Sequence, residues 1–141
     1  MMLTPDTPIL VADDVAAVVQ TVTSMLKVLG FDQIASAGDG LEALEILKKE
    51  KKQGLIICDW SMPRLSGIEL LKRIRSQPCW AALPFVMLVS KIDQAEISLL
   101  EDLDVSGYLV KPLSFDRLQA ALDRLTSPAG IAALHQILAR V

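Results

Sequence analysis

Three short apolar runs punctuate the chain: "PILVA" (8–12), "GLIIC" (54–58) and "PFVMLV" (84–89). None keeps a polar side for water, which predicts strands buried on both faces of a parallel sheet. Between the first two the period changes. Val15, Val18, Val19, Val22, Met25, Leu26 and Leu29 recur at three- and four-residue intervals, the spacing of an amphipathic helix, and Gly30 stops it. "QIASA" (33–37) is a weaker apolar run and predicts the second strand. Asp39 then stands as the cap of a helix carrying Leu41, Leu44 and Leu47. Lys48, Lys49, Lys51 and Lys52 gather at its C-terminal end, where cations complement the helix dipole.

The alternation continues in the second half. Ile68, Leu71 and Ile74 mark a helix after Gly67, residues 94–103 a fourth helix, and "GYLVK" (107–111) a fifth strand. Ile97, Leu99, Leu100 and Leu103 fall on more than one face of the fourth helix, so apolar surface is expected to stay exposed beside the fifth strand. Phe115, Leu118, Leu122 and Leu125 line a fifth helix capped by Ser114. Five strand–helix units predict an α/β, doubly wound, five-stranded parallel sheet. The first, third and fourth strands are the most apolar and belong at the centre, giving the order 2-1-3-4-5. This domain is expected over 1–126. "SPAG" (127–130) interrupts the pattern, and Ile131, Leu134, Leu138 and Val141 then line one side of an extra C-terminal helix. That tail, 127–141, either packs locally or begins a further domain.

Composition narrows the function. Apolar residues make up 52% of the 141 positions and aromatics only 4%, so the core is expected to be aliphatic. A net charge of −3 argues against direct binding of nucleic acid or an anionic membrane surface. No apolar run approaches the ~18 residues that span a bilayer. The N-terminus lacks the basic region of a signal peptide, and a cytoplasmic location is expected. Cys58 and Cys79 have no metal-site or redox-motif spacing and read as reduced thiols. His135, the only histidine, reads as a surface or packing residue.

The chemistry collects at one edge. A parallel sheet places all strand C-termini together, and ligands bind there where the strand order reverses. Asp13 and Asp14 follow the first strand and Asp59 ends the third, so three carboxylates converge. A pair at ~4 Å repels by about 4 kcal/mol at an effective dielectric of 20. A hard divalent cation relieves this, and magnesium suits a site of carboxylates that keeps room for water and a phosphoryl oxygen. Ser90 ends the fourth strand with a hydroxyl and Lys111 the fifth with an ammonium. Cation, ammonium and hydroxyl around a carboxylate are the groups that balance charge in phosphoryl transfer, with Asp59 as nucleophile. A flavin carrier of the same fold lacks its phosphate cradle here. An aspartyl phosphatase would want an acid–base Asp where Ser61 stands.

The segments "VADD" (11–14), "CDWSMPRLSGIELLKRIR" (58–75), "VS" (89–90) and "GYLVKP" (107–112) closely resemble the receiver domains of bacterial response regulators. The resemblance covers about residues 8–126 and implies a flavodoxin-like fold and a role in two-component signal transduction. It implies that Asp59 is the phosphoacceptor, charged from a sensor histidine kinase or phosphotransfer protein. It implies magnesium on Asp13, Asp14, Asp59 and the Ser61 backbone carbonyl, and Lys111, followed by a cis proline, on the phosphoryl group. Ser90 and Tyr108 resemble the switch pair, which alters binding to a downstream protein or a second copy. Such a domain is a signalling phosphoacceptor rather than an enzyme acting on other substrates. Two positions depart from the family pattern. Lys91 stands where a small residue is usual and is expected to modulate access to the site. The glycine usual before the fifth strand is missing, and "LEDLDVSGY" reads as one residue short. These departures leave a rival: a receiver-like module that docks without phosphorylation.

Overall fold

The computed structural model describes residues 3–50 and 52–125. Strands and helices alternate as β1 (Ile9–Ala12), α1 (Ala16–Val28), β2 (Ile34–Ala37), α2 (Gly40–Lys49), β3 (Leu55–Asp59), α3 (Gly67–Ser76), β4 (Phe85–Val89), α4 (Gln94–Asp102), β5 (Gly107–Val110) and α5 (Phe115–Leu125). All neighbouring strands pair in parallel, in the order β2-β1-β3-β4-β5. The three apolar runs form the central strands, and every residue of β1, β3 and β4 is buried. Ile56 and Ile57 point to opposite faces and both are fully buried, so helices cover the sheet on both sides. Each such side chain contributes about 1.5–3 kcal/mol by leaving water. The additional helix expected beyond residue 126, and His135 with it, lie outside the described residues.

The caps follow the sequence. Asp39 Oδ1 accepts the Glu42 N–H at 2.9 Å at the start of α2, and Ser114 Oγ accepts the Arg117 N–H at 3.2 Å at the start of α5. Ser66 with Glu69, and Asp93 with Glu96, form reciprocal capping boxes on α3 and α4. The apolar residues of α4 are covered only in part. Leu100 is buried and Ile97, Leu99 and Leu103 are half-buried against the core.

The turn before β5 has an aspartate at positive φ. Asp104 adopts φ 56°, a backbone conformation that glycine usually supplies, so an aspartate fills that position here. Its N–H donates to Glu101 O at 3.0 Å, and Arg75 Nε donates to its carbonyl at 3.1 Å. Aspartate is one of the few L-residues that visits this region readily. Asp104→Gly is therefore expected to leave stability unchanged or slightly raised. Asp104→Ile should cost about 1–2 kcal/mol, because a β-branched residue clashes there. Urea unfolding of the two variants measures both.

Candidate functional site

Register places the acidic residues. Ala12 lies opposite Cys58 across the β1–β3 ladder, so the next residues, Asp13 and Asp59, stand level at the C-terminal edge. Asp13 is 1% exposed and Asp59 7%. Asp14 is exposed, which leaves the cluster open to solvent on one side. One oxygen from each of the three carboxylates lies within 4.8 Å of the others.

Asp13 uses both oxygens. Its Oδ1 accepts the Val15 N–H at 2.9 Å and turns the chain into α1, while Oδ2 accepts from Lys111 Nζ at 2.9 Å. The same ammonium lies 3.0 Å from Asp59 Oδ1. Lys111 is anchored by its backbone N–H, which donates to Val89 O at 2.7 Å, and is followed by a cis peptide to Pro112. Burial pushes the Asp59 carboxyl above its ordinary value, and the charges of Asp13 and Asp14 push the same way; the hydrogen bond from Lys111 only partly offsets them. Burial works against the Lys111 ammonium, but its bonds to Asp13 and Asp59 outweigh that and raise its pKa.

This donor set fits magnesium. Three hard carboxylate oxygens face one another with one lysine among them, and the exposed side admits a hydrated ion. Asp13, Asp14 and Asp59 are the residues that could hold it.

The remaining predicted positions lie on β5 and in the loops that follow β3 and β4. Val89 lies opposite Val110, so Ser90 stands level with Lys111, exposed to solvent. Lys91, also exposed, follows it. Ser61 is exposed in the loop after β3. Tyr108 is buried on β5, where burial, followed by the charge of Glu101, raises its phenol pKa.

Three features escaped the sequence reading. A Cβ at Gly67 would collide with the Asp59 carbonyl oxygen and lie 2.9 Å from Met87 Sδ, so α3 starts directly against the strand end that carries Asp59. Cys58, fully buried, donates to the Asp59 carbonyl at 3.3 Å. Arg64 crosses from the loop after β3 to Asp39, its Nη2 2.7 Å from Asp39 Oδ2. Gly67 carried one signal, its position just after a capping serine; the other two carried none.

The family model for the response regulator receiver domain matches residues 9–123. The chain is 35% identical over 124 residues to the chemotaxis protein CheY-3 of Vibrio cholerae serotype O1, covering 88% of this chain and 95% of that relative. It is 30% identical over 115 residues to a chemotaxis protein CheY homolog of Campylobacter jejuni, covering 82% and 88%. The solved structure of the chemotaxis response regulator CheY4 of Vibrio cholerae superposes with a TM-score of 0.78 at 29% identity, covering 85% of this chain and 98% of that one.

Proposed function

This chain belongs to the response regulator receiver family, is of the CheY type and so acts in two-component signalling, and from that premise we propose that Asp59 accepts a phosphoryl group in a magnesium-dependent reaction. The observation that carries the reading is Lys111 Nζ, held 2.9 Å from Asp13 Oδ2 and 3.0 Å from Asp59 Oδ1, beside the exposed Asp14.

Bound to Asp13, Asp14, Asp59 and the Ser61 carbonyl, magnesium supplies the positive charge that accepts phosphoryl oxygens next to the carboxylates. An Asp59 oxygen forms the new bond to phosphorus as the phosphorus–nitrogen bond of a donor phosphohistidine breaks. The electron pair of that bond returns to the donor imidazole. Lys111 follows the charge from Asp59 to the phosphoryl oxygens, a short movement from its present position. Ser90, level with Lys111, offers its hydroxyl to the same group, and buried Tyr108 couples the change to the surface around β5. Lys91 holds a flexible cation over the mouth and restrains entry of bulky donors more than of small ones. The upstream partner is a histidine kinase or phosphotransfer protein; the downstream one is a protein target or a second copy. No helix among the described residues is long and apolar enough to cross a membrane.

Incubation with acetyl phosphate and magnesium, followed by intact mass measurement, tests the reading. The parent protein is expected to gain the mass of one phosphoryl group, while Asp59→Asn and the parent in EDTA gain nothing. A gain that survives either treatment overturns the assignment. No gain in the parent favours the phosphorylation-independent docking module.

A further inference from the structure

The loop over 60–66 joins the end of β3 to α3 and carries Ser61. Its base is closed by backbone bonds: the Trp60 N–H donates to Leu88 O at 3.0 Å, and the Gly67 N–H donates to Trp60 O at 2.8 Å. The tip is held differently. The Leu65 N–H donates to Pro63 O at 2.7 Å, closing a three-residue turn whose central residue, Arg64, has φ 66°. This is the rare γ-turn with a positive central φ, which is strained at a residue other than glycine and persists only where surrounding structure holds it.

Two contacts with the neighbouring β2–α2 segment do so. Arg64 Nε and Nη2 donate to Asp39 Oδ2 at 3.0 and 2.7 Å, while the other Asp39 oxygen caps α2. Both oxygens of Asp39 are therefore committed, and its side chain is only 13% exposed against 60% for Arg64. Beneath the pair, Gly40 packs so closely that a Cβ there would collide with the Leu65 carbonyl oxygen. A charged fork of this kind orients as well as attracts.

We propose that the Asp39–Arg64 pair is a positioning latch, which ties the loop carrying Ser61 to the start of α2 and sets it for magnesium. The inference rests on the magnesium reading above. Arg64 acts through the loop: it makes no contact with the carboxylate cluster among the hydrogen bonds and ion pairs of the described residues.

Latch and simple electrostatics make opposite predictions. As a plain charge near the site, Asp39 attracts magnesium and Arg64 repels it, so Asp39→Asn should weaken binding and Arg64→Asn should strengthen it. As halves of a latch, each variant should weaken binding, by about three- to fivefold, and the double variant should weaken it no further. The substitutions suit the local structure: asparagine caps a helix as well as aspartate, and it is among the residues enriched at positive φ. Magnesium titration of the parent and the three variants, read by indole emission and by calorimetry, decides between them. Equal, non-additive weakening in both single variants supports the latch. Opposite signs, or affinities unchanged in both, overturn it and leave the proposed function intact. A parent protein that binds no magnesium overturns that function and the latch together.

Discussion

Lys111→Met is expected to destabilise the metal-free protein at neutral pH by about 2–3 kcal/mol, and the deficit should shrink on acidification. Methionine keeps the unbranched stem and removes only the charge. What remains is Asp13, almost fully buried, level with Asp59 and with no cation between them. Removing one partner of a buried ion pair costs about 3–5 kcal/mol, and the partial exposure of Lys111 places this case somewhat lower. The pH dependence follows from the direction in which Asp59 is shifted. Burial and neighbouring carboxylates already raise its folded-state pKa above 3.8, the ordinary value. Over the window between the two values the native state holds a proton that the unfolded state has released. Stability therefore falls as pH rises through that window, and removing Lys111 widens it upward. Urea unfolding in EDTA at about pH 8 and about pH 5 should show a large deficit at the first and a small one at the second. Magnesium should restore much of the loss, because a cation on the carboxylates does what the ammonium did. Equal deficits at both pH values would mean that the three groups do not share one field.

The sheet order was legible because burial on both faces leaves a strand no polar side, so the three apolar runs sort themselves to the centre. Asp13 and Asp59 could be placed together for a related reason. Each follows an apolar run of fixed register, and the ladder that pairs Ala12 with Cys58 carries the next residues to the same edge. The caps at Asp39 and Ser114 were legible from local chemistry alone. Bridging contacts were not. Lys111 reaches Asp13 across 98 positions, and its precise place between two carboxylates depends on the turn after β5. Arg64 reaches Asp39 across 25, from an exposed loop with no periodicity to betray it. For the fourth helix the pattern gives the spread of apolar residues but not how far each is covered. A helical wheel spreads Ile97, Leu99 and Leu103 around α4, whereas neighbouring elements half-cover all three. Asp104 shows that the turn before β5 needs no glycine. Backbone conformation belongs to the position, and aspartate can adopt it.

Gly67→Ala should lower stability by about 1–3 kcal/mol although it replaces a poor helix former with the best one. Helix propensity favours alanine by about 1 kcal/mol in a helix interior and by less at a first position, but always in the same direction, so the sign of the measured change identifies the dominant effect. Gly67 is the first residue of α3, and a Cβ there would collide with the Asp59 carbonyl oxygen. That oxygen is backbone, and it sits at the end of a fully buried strand whose neighbours on both sides are also buried. Nothing flexible stands in the way except Met87 Sδ at 2.9 Å, so the helix start or the strand end has to shift. Gly30 gives the internal contrast. It has φ 102° with nothing within 4 Å of its notional Cβ, so alanine there is opposed by backbone conformation and not by packing. The Gly67 collision has a further consequence, because the obstructed atom belongs to the residue proposed to accept phosphate. A shift of β3 at Asp59 disturbs both its 3.0 Å approach to Lys111 and the start of the Ser61 loop. Gly67→Ala is therefore expected to lose magnesium affinity as well as stability, with the folded fraction held constant by working well below the denaturant midpoint. A variant as stable as the parent would show that α3 can retreat without cost. Stability lost with magnesium affinity retained would show that the strand end stays in place and the helix alone moves.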